Sequence, residues 1–393
     1  MKIEVPKNWI LVFLLTLPHL KPSSLELIHS WDLIFNVWRI ASLVIVVGLY
    51  AINKYHASKI TYVIFVMEAY ILLNTYIQHQ DTYSCLKSVY SVISMVLIYE
   101  AFGKDKKIFI GAQLACYELL IYINLISEIL YPKGMYRTTT QKNWFLGYYN
   151  SHIIYFVPGI IFALLYAIEV GSMLRAILLI GAIIVSAIRV WSGGSIITIA
   201  VVLLTYVFLC NYTMIFNYYT YWLIQPVFFI VVMVNKRVDL FRWLIGDALG
   251  KWESIRGRMI VWNIELNNLS KYLLFGNGIE YKSDRIKSYL GMRWAVHAHN
   301  LVLELLHQGG LIYLMFLIVI ILMAGHKLSE NRNSLYVKIL SIGFLGWSIR
   351  CTVDPCFYAM WIALFVLAYK CNAKAEESES IYDNTPKVVI CLK

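Results

Sequence analysis

The chain has 393 residues, of which 60% are hydrophobic and only 15% are charged. A soluble globular protein of this length would carry far more charge, so the composition excludes that class. The formal net charge of +11 becomes informative only once the charged residues are assigned to the two sides of a membrane.

Apolar stretches that are long enough to cross a bilayer as helices recur from one end of the chain to the other. The first stretch follows two lysines, but no small-x-small cleavage site comes after it. We therefore predict an uncleaved first helix instead of a signal peptide. The whole pattern predicts an all-α polytopic membrane protein with about twelve spans. These spans cover residues 8–20, 35–53, 60–77, 85–102, 107–131, 151–169, 174–190, 195–211, 217–234, 299–325, 336–352 and 355–371.

The distribution of lysine and arginine predicts the orientation of these spans. The segments that lie inside when the N-terminus is cytoplasmic carry more basic residues than the short outer loops. Both termini are therefore expected in the cytoplasm. The chain then divides into a membrane domain of about nine spans at 1–234, a large extracytoplasmic loop at 235–298, a membrane domain of about three spans at 299–371, and a polar, disordered cytoplasmic tail at 372–393.

The predicted outer loop at 235–298 is basic and rich in tryptophan. It carries eleven Lys or Arg residues against six Asp or Glu residues, together with four tryptophans. Such a loop suits an anionic, sugar-bearing ligand, although a belt of Trp and Arg on lipid headgroups has the same composition. Residues 251–274 have the pattern of an amphipathic helix, on which Arg258, Trp262 and Glu265 form one stripe.

The sequence contains no motif that indicates a metal-binding or nucleotide-binding site. His299 and His307 lie eight residues apart, which is about 12 Å along one helix, so they cannot share an ion. His297 and His299 could share one only in an extended stretch, and the sequence has no D-x-D or H-E-x-x-H motif. We therefore predict no metal site. The sequence has no P-loop motif either, so we expect no cofactor and an activated substrate as the source of energy.

Histidine and arginine supply the side chains that could carry chemistry at the outer surface. His299 opens the tenth predicted span beside the basic loop, where a neutral imidazole can take a proton from a hydroxyl group. An interfacial histidine that bonds only headgroups or loop carbonyls is the alternative. One guanidinium group can bind two phosphate oxygens at once, although each arginine could instead pair with an acid or lie along lipid. The arginines are Arg189, Arg256, Arg258 and Arg293.

Three motifs in a fixed order resemble a known family. They are RGRMIVW at 256–262, LLFGNG at 273–278 and HAHNLVLELLHQGGLIYL at 297–314. Their order, and the plan of about twelve helices with one large outer loop between spans nine and ten, resemble the O-antigen polymerase and ligase superfamily. The resemblance is strongest to bacterial oligosaccharide repeat-unit polymerases.

The resemblance implies a glycosyltransferase that works without a metal at the outer face of the bacterial cytoplasmic (inner) membrane. Its donor would be an oligosaccharide linked to undecaprenyl pyrophosphate. Its product would be an O-antigen, a capsular polysaccharide or another exopolysaccharide. The implied partners are membrane lipid, a chain-length regulator and a flippase, with no nucleic acid.

The resemblance also implies roles for particular residues. His299 would activate the acceptor hydroxyl, and Arg258 would be the loop arginine that precedes an aromatic helix. Arg189 would be the arginine of a small-residue turn, although it precedes Ser192-Gly-Gly-Ser195, whereas the family's arginine more often follows that element. The predicted catalytic residues are His299, Arg258 and Arg189, and the predicted substrate-binding residues are Arg256, Arg293, His297, Asn300 and Trp262.

Two other functions share part of this sequence pattern. An O-antigen ligase, which moves a finished glycan onto a lipid core, would have nearly the same signals. A transporter or flippase for a lipid-linked sugar is suggested by Glu68, Glu118 and Arg39, which lie within predicted spans. Transporters usually show repeated halves and midplane binding residues, whereas this chain concentrates its polar residues in one outer loop.

Overall fold

The computed structural model describes residues 7–371, except residues 54, 139, 140, 238, 240 and 241. The tail predicted to be disordered, 372–393, lies outside the described residues. The protein is 75% helical, and one short three-stranded sheet accompanies the helices.

Sixteen α-helices follow one another along the described part of the chain. They are α1 (Lys7–Thr16), α2 (Ser23–Glu26), α3 (His29–Asn53), α4 (Lys59–Ile77), α5 (Thr82–Phe102), α6 (Lys106–Leu130), α7 (Ile153–Val170), α8 (Leu174–Arg189), α9 (Gly193–Leu204), α10 (Tyr218–Trp222), α11 (Ile224–Phe228), α12 (Trp252–Tyr272), α13 (Lys282–Ser288), α14 (Leu301–Glu330), α15 (Leu335–Cys351) and α16 (Ala359–Tyr369). Single π-helical stretches continue two of them, α9 through Thr205–Leu209 and α11 through Phe229–Val234.

Among the described residues, six helical stretches are long and apolar enough to cross a membrane. They are α3, α4, α5, α6, the stretch Tyr149–Val170 that contains α7, and α14. The prediction of an all-α membrane protein is therefore confirmed. Half of the twelve predicted spans correspond to helices of full crossing length. Shorter apolar stretches occur at Asn8–Leu20, Gly193–Leu209, Tyr218–Val234 and Ala359–Tyr369.

The short sheet lies between α6 and α7. Strands β1 (Tyr136–Thr138), β2 (Gln141–Trp144) and β3 (Gly147–Tyr148) are antiparallel and lie in that order. The sheet is tied to α6, because Leu146 donates its backbone N–H to Asn124 Oδ1 at 2.9 Å. It delivers the chain to Asn150, which borders the candidate site described below.

Two glycines allow α15 to pack closely against its neighbours. A Cβ at Gly343 would overlap the side chain of Ile161 on α7. A Cβ at Gly346 would lie 2.8 Å from Val202 of α9 and 2.9 Å from Val157 of α7. Gly343 and Gly346 are three residues apart and share one helix face. This small-residue face brings the C-terminal half of α15 close to α9, as is common between membrane helices.

The LLFGNG motif forms hydrogen bonds to a break in α14. Gly310 has φ 64 and ψ −162, which interrupts the helix and frees backbone groups on both sides. The freed groups bond to the motif: Leu311 N–H donates to Leu273 O at 2.8 Å, and Gly278 N–H donates to Gln308 O at 2.8 Å. A Cβ at Gly310 would overlap the backbone of Leu274. The sequence motifs at 273–278 and 297–314 therefore contact each other and connect the 235–298 segment to α14.

The described part of the 235–298 segment is itself folded. The amphipathic helix predicted at 251–274 is confirmed as α12, and α13 follows the joint. Trp262 and Glu265 on the predicted stripe are buried, with 2% exposure each, whereas Arg258 is half-buried. The stripe therefore directs one polar and one aromatic side chain against α14 and holds α12 beside the start of that helix.

Candidate functional site

His299 lies directly before Asn300, the residue that caps the N-terminus of α14. Its backbone has φ 53, in the left-handed region that residues other than glycine rarely occupy. The side chain is 8% exposed, and neither ring nitrogen has a hydrogen-bond partner. A strained, buried and unpartnered imidazole costs stability, which is typical of a residue held for a function.

His297 lies against His299, with 4.1 Å between the ring centroids. Its Nδ1 accepts the backbone N–H of His299 at 3.3 Å, and its Nε2 lies 3.2 Å from Asp354 Oδ1. A neutral ring in this position carries its proton on Nε2 and donates it to the carboxylate. Both nitrogens of His297 are therefore occupied, so His299 is the one of the two histidines that is free to exchange a proton.

Arg350 in the last turn of α15 and Asp354 in the turn that follows complete the site, and sequence reasoning missed their role. Arg350 forms an ion pair with Asp354 Oδ2 and donates to Asn150 O at 3.2 Å. Burial raises the pKa of Asp354, but the positive charges of Arg350 and its neighbours outweigh this and lower the pKa to about 2. The sequence signal was an Arg and an Asp at i, i+4 in the last predicted outer turn.

Arg258 is brought to the same place by α12. Its Nε donates to Val353 O at 2.9 Å, and its Nη1 donates to Ser254 Oγ at 2.6 Å. Burial lowers the pKa of His299 well below its usual value, and the charges of His297, Arg258 and Arg350 lower it further against the opposing charge of Asp354. These surroundings favour the neutral form of the His299 imidazole.

Two of the predicted substrate-binding residues support the backbone of His299. Trp262 Nε1 donates to His299 O at 3.3 Å, from a side chain that is 2% exposed. Asn300 Oδ1 accepts Leu303 N–H at 3.1 Å, and its Nδ2 donates to Thr352 O at 3.2 Å. Trp262 therefore acts on His299 through its main chain, whereas Asn300 caps α14 and ties its start to Thr352. The exposed aromatic ring of the site belongs to Trp294, whose centroid lies 5.4 Å from that of His299.

Three predicted arginines lie outside this set. Arg189 donates to Glu128 O at 3.1 Å at the end of α8. Arg256 is exposed and pairs with Glu253 at 3.0 Å, and Arg293 is exposed. None of the contacts described for these three residues reaches His299. The arginine that lies against the Ser192-Gly-Gly-Ser195 turn is Arg350.

His297, His299 and Asp354 also have the spacing of a metal-ligand set. Their donor atoms all lie within 4.8 Å of one another. The sequence argument against a metal site compared the spacing of the histidines and searched for local motifs, whereas Asp354 comes from a distant part of the chain. Two guanidinium groups, Arg258 and Arg350, border the same residues, so the local charge favours an anion over a cation.

A second polar cluster lies beneath the first, between α12, α13 and α14. His307 Nδ1 lies 3.0 Å from Glu265 Oε2, and His307 Nε2 lies 3.2 Å from Glu280 Oε2. Arg285 Nη2 lies 2.8 Å from Glu304 Oε2 and 3.6 Å from Glu265 Oε1. All of these side chains are at most 13% exposed. We call these five residues the buried ionic network.

The fold and the site define a class: an all-α membrane protein with a cationic, histidine-bearing site at the start of one long membrane helix. Comparisons with models of known protein families and with curated proteins find no match.

Proposed function

We propose that the chain is a polysaccharide polymerase of the O-antigen polymerase and ligase superfamily. It would join oligosaccharide repeat units carried on undecaprenyl pyrophosphate, at the outer face of the bacterial cytoplasmic membrane. The product would be an O-antigen, a capsular polysaccharide or another exopolysaccharide. The proposal includes about twelve spans, both termini in the cytoplasm and the 235–298 segment outside.

The observation that carries the proposal is the state of His299. It is neutral, its two nitrogens have no partner, and it lies beside two guanidinium groups. A neutral imidazole can take the proton of an acceptor sugar hydroxyl, and such general-base catalysis is typically worth about 10²–10⁴ in rate.

The reaction balances with the residues of this site. The acceptor hydroxyl oxygen forms a bond to the anomeric carbon of the donor, and the bond from that carbon to the phosphate oxygen breaks. His299 takes the hydroxyl proton, and the lipid diphosphate leaves with the bonding electron pair. Arg258 and Arg350 would bind the charge that develops on the leaving oxygen, which lowers the barrier. The ring of Trp294 offers a face to a sugar.

The transporter alternative has one supporting observation. Glu68 in α4 is 2% exposed, and its Oε1 has no hydrogen-bond partner. Intramembrane carboxylates often mark ion pathways. The two other charges that suggested transport are engaged: Glu118 pairs with Arg175, and Arg39 donates to Pro18 O at 2.8 Å. One unpartnered carboxylate supports a pathway less well than the outer site supports glycosyl transfer.

The test is a deletion of the gene in its own host, complemented with wild type, His299→Ala or His326→Ala. His326 is the matched control, because it is an exposed histidine that pairs with Glu330 near the other end of α14. A polymerase is expected to lose the long polysaccharide ladder on deletion while one repeat unit stays attached. Wild type and His326→Ala should restore the ladder, and His299→Ala should not.

Other outcomes separate the alternatives. Loss of every attached repeat, with polymer left on the lipid carrier, would identify the ligase. Full rescue by His299→Ala would contradict the assigned base. Accumulation of unexported lipid-linked repeats, with rescue by His299→Ala but not by Glu68→Gln, would identify the transporter.

A further inference from the structure

We propose that a cavity between the end of α14 and the start of α15 binds the phosphate group of an anionic phospholipid. The cavity has a volume of about 140 Å³ and is lined by residues of α10, α14, α15 and the connection 210–217. It lies at the far end of α14 from His299, because α14 begins at Leu301 and reaches Gly325 only after about 36 Å of helix. This second site is therefore separate from the proposed reaction.

The wall of the cavity is positively charged. Arg332 and Lys338 line it, and none of the described residues that line it is acidic. Lys338 Nζ donates to Asn211 Oδ1 at 3.0 Å, and this acceptor is uncharged. Glu330 is the acid closest in sequence to Arg332, but it already lies 3.0 Å from Lys327 Nζ. Two cations beside one cavity favour an anion, and a phosphate group is an anion that both Arg and Lys bind well.

Hydroxyl groups in the same wall can complete the binding of a phosphate group. Tyr218 and Ser341 line the cavity and are buried. Tyr218 is 3% exposed, and its hydroxyl has no hydrogen-bond partner among the described residues. Because buried polar groups are normally paired, this hydroxyl is a second sign, independent of the charge, that the cavity receives a ligand with hydrogen-bond acceptors.

The surroundings of the cavity favour a lipid over a free phosphate ion. The connection 210–217 exposes apolar side chains, Met214 at 84% and Ile215 at 67%. It joins the apolar stretches Gly193–Leu209 and Tyr218–Val234, so it lies at the ends of helices that contact a membrane. Apolar surface next to a cationic cavity suits the acyl chains and the phosphate of one lipid molecule. In the proposed topology, this end of the bundle faces the cytoplasmic leaflet.

A bound phosphate group would also connect two helices. Arg332 lies in the turn after α14, and Lys338 lies in the first turn of α15. One phosphate group between them would hold the ends of these helices together. Because a ligand that binds only the folded state stabilises it, the fold should be more stable in anionic lipid than in zwitterionic lipid.

The test measures the binding of phosphatidylglycerol and of phosphatidylcholine to the purified full chain by native mass spectrometry. Wild type should prefer phosphatidylglycerol. Arg332→Gln and Lys338→Gln should each weaken its binding by about 5-fold, the factor expected for one basic residue at an anionic headgroup. The matched control is Lys107→Gln, at an exposed lysine outside the cavity. Lys107 lies at the same end of the bundle, because Lys106 Nζ lies 4.9 Å from the ring centroid of Tyr336 in α15.

Equal phosphatidylglycerol affinity in wild type, Arg332→Gln and Lys338→Gln would overturn the site. An equal loss in Lys107→Gln would also overturn it, because general surface charge would then explain the binding. Inorganic phosphate is the third probe. If it binds saturably in phosphatidylcholine nanodiscs while the chain shows no preference for phosphatidylglycerol, the occupant is a free phosphate ion and the lipid assignment is wrong. None of these outcomes involves polymer formation, so the site and the proposed function can fail separately.

Discussion

His299 and His307 lie eight residues apart on the same stretch of chain, and their surroundings are opposite. His299 has no hydrogen-bond partner on either ring nitrogen and is bordered by two arginines. His307 faces a carboxylate from each nitrogen, Glu265 at 3.0 Å and Glu280 at 3.2 Å. His307 therefore lies between two acidic side chains.

The difference separates His299, whose ring has no partner, from the buried ionic network, whose side chains hold the surrounding helices together. The buried ionic network fastens α12 and α13 to α14, so it contributes to the fold. It also reaches the His299 site, because Glu304 Oε2 accepts the backbone N–H of Ala298 at 2.6 Å as well as Arg285 Nη2 at 2.8 Å. The strained backbone of His299 follows directly. The buried ionic network therefore supports the strained backbone conformation of His299.

The largest effect should come from removing the single arginine of the network. Arg285→Met leaves Glu265, Glu280 and Glu304 facing one another with only His307 to balance them. Removing one member of a buried ionic set typically costs about 3–5 kcal/mol. We expect this loss in the free energy of unfolding, measured by denaturant titration in one detergent.

The matched control is Arg256→Met, because Arg256 is 62% exposed and pairs only with Glu253. Exposed pairs contribute little, so its unfolding free energy should change by less than about 1 kcal/mol. Equal effects of the two substitutions would contradict the claim that the buried ionic network stabilises the fold more than an exposed ion pair does.

The sequence predicted the class of fold and part of the site, for physical reasons that can be named. The long helices were predictable because the bilayer sets their length and composition. His299 and Arg258 were predictable because they lie in adjacent motifs. The buried network was not, because periodicity indicates which face of a helix is polar but not which helix packs against it.

The arginine and the acid of the His299 site show the same limit. Arg189 is three residues before Ser192, so sequence proximity assigned it to the turn, but its guanidinium bonds Glu128 O on α6. Arg350 reaches the turn from a helix more than 150 residues away. Asp354 meets His297 only after α14 and α15 have packed. Packing between distant parts of the chain determines these partners, and no local sequence pattern encodes that packing.

Acid should weaken the network by a smaller amount. Burial raises the pKa of Glu265, but the hydrogen bond and charge of His307 and the charge of Arg285 outweigh this and lower the pKa from 4.5 to about 2. The carboxylate is therefore more acidic in the folded protein, so its stabilisation is complete above pH 4.5 and is lost as the pH falls from 4.5 to 2. The loss should be about 3 kcal/mol.

The measurement is the unfolding free energy as a function of pH in nanodiscs. Glu265→Gln cannot titrate, so its curve should be flatter than that of wild type between pH 4.5 and 2. Asp284→Asn, which removes a half-exposed carboxylate of α13, should keep the wild-type slope. A wild-type slope in Glu265→Gln would mean that other carboxylates dominate the acid response.

The smallest effect tests the strain at His299 by making one substitution at both histidines. Asparagine tolerates the left-handed backbone better than histidine does, so His299→Asn should relieve strain and stabilise the fold by about 1 kcal/mol while polymer formation is lost. His307→Asn should destabilise it, because Glu265 and Glu280 then lose their shared partner. Opposite signs of the two changes in unfolding free energy would support a strained functional residue above a structural one. If both substitutions destabilise equally, His299 packs as His307 does, and its conformation is held for stability instead of chemistry.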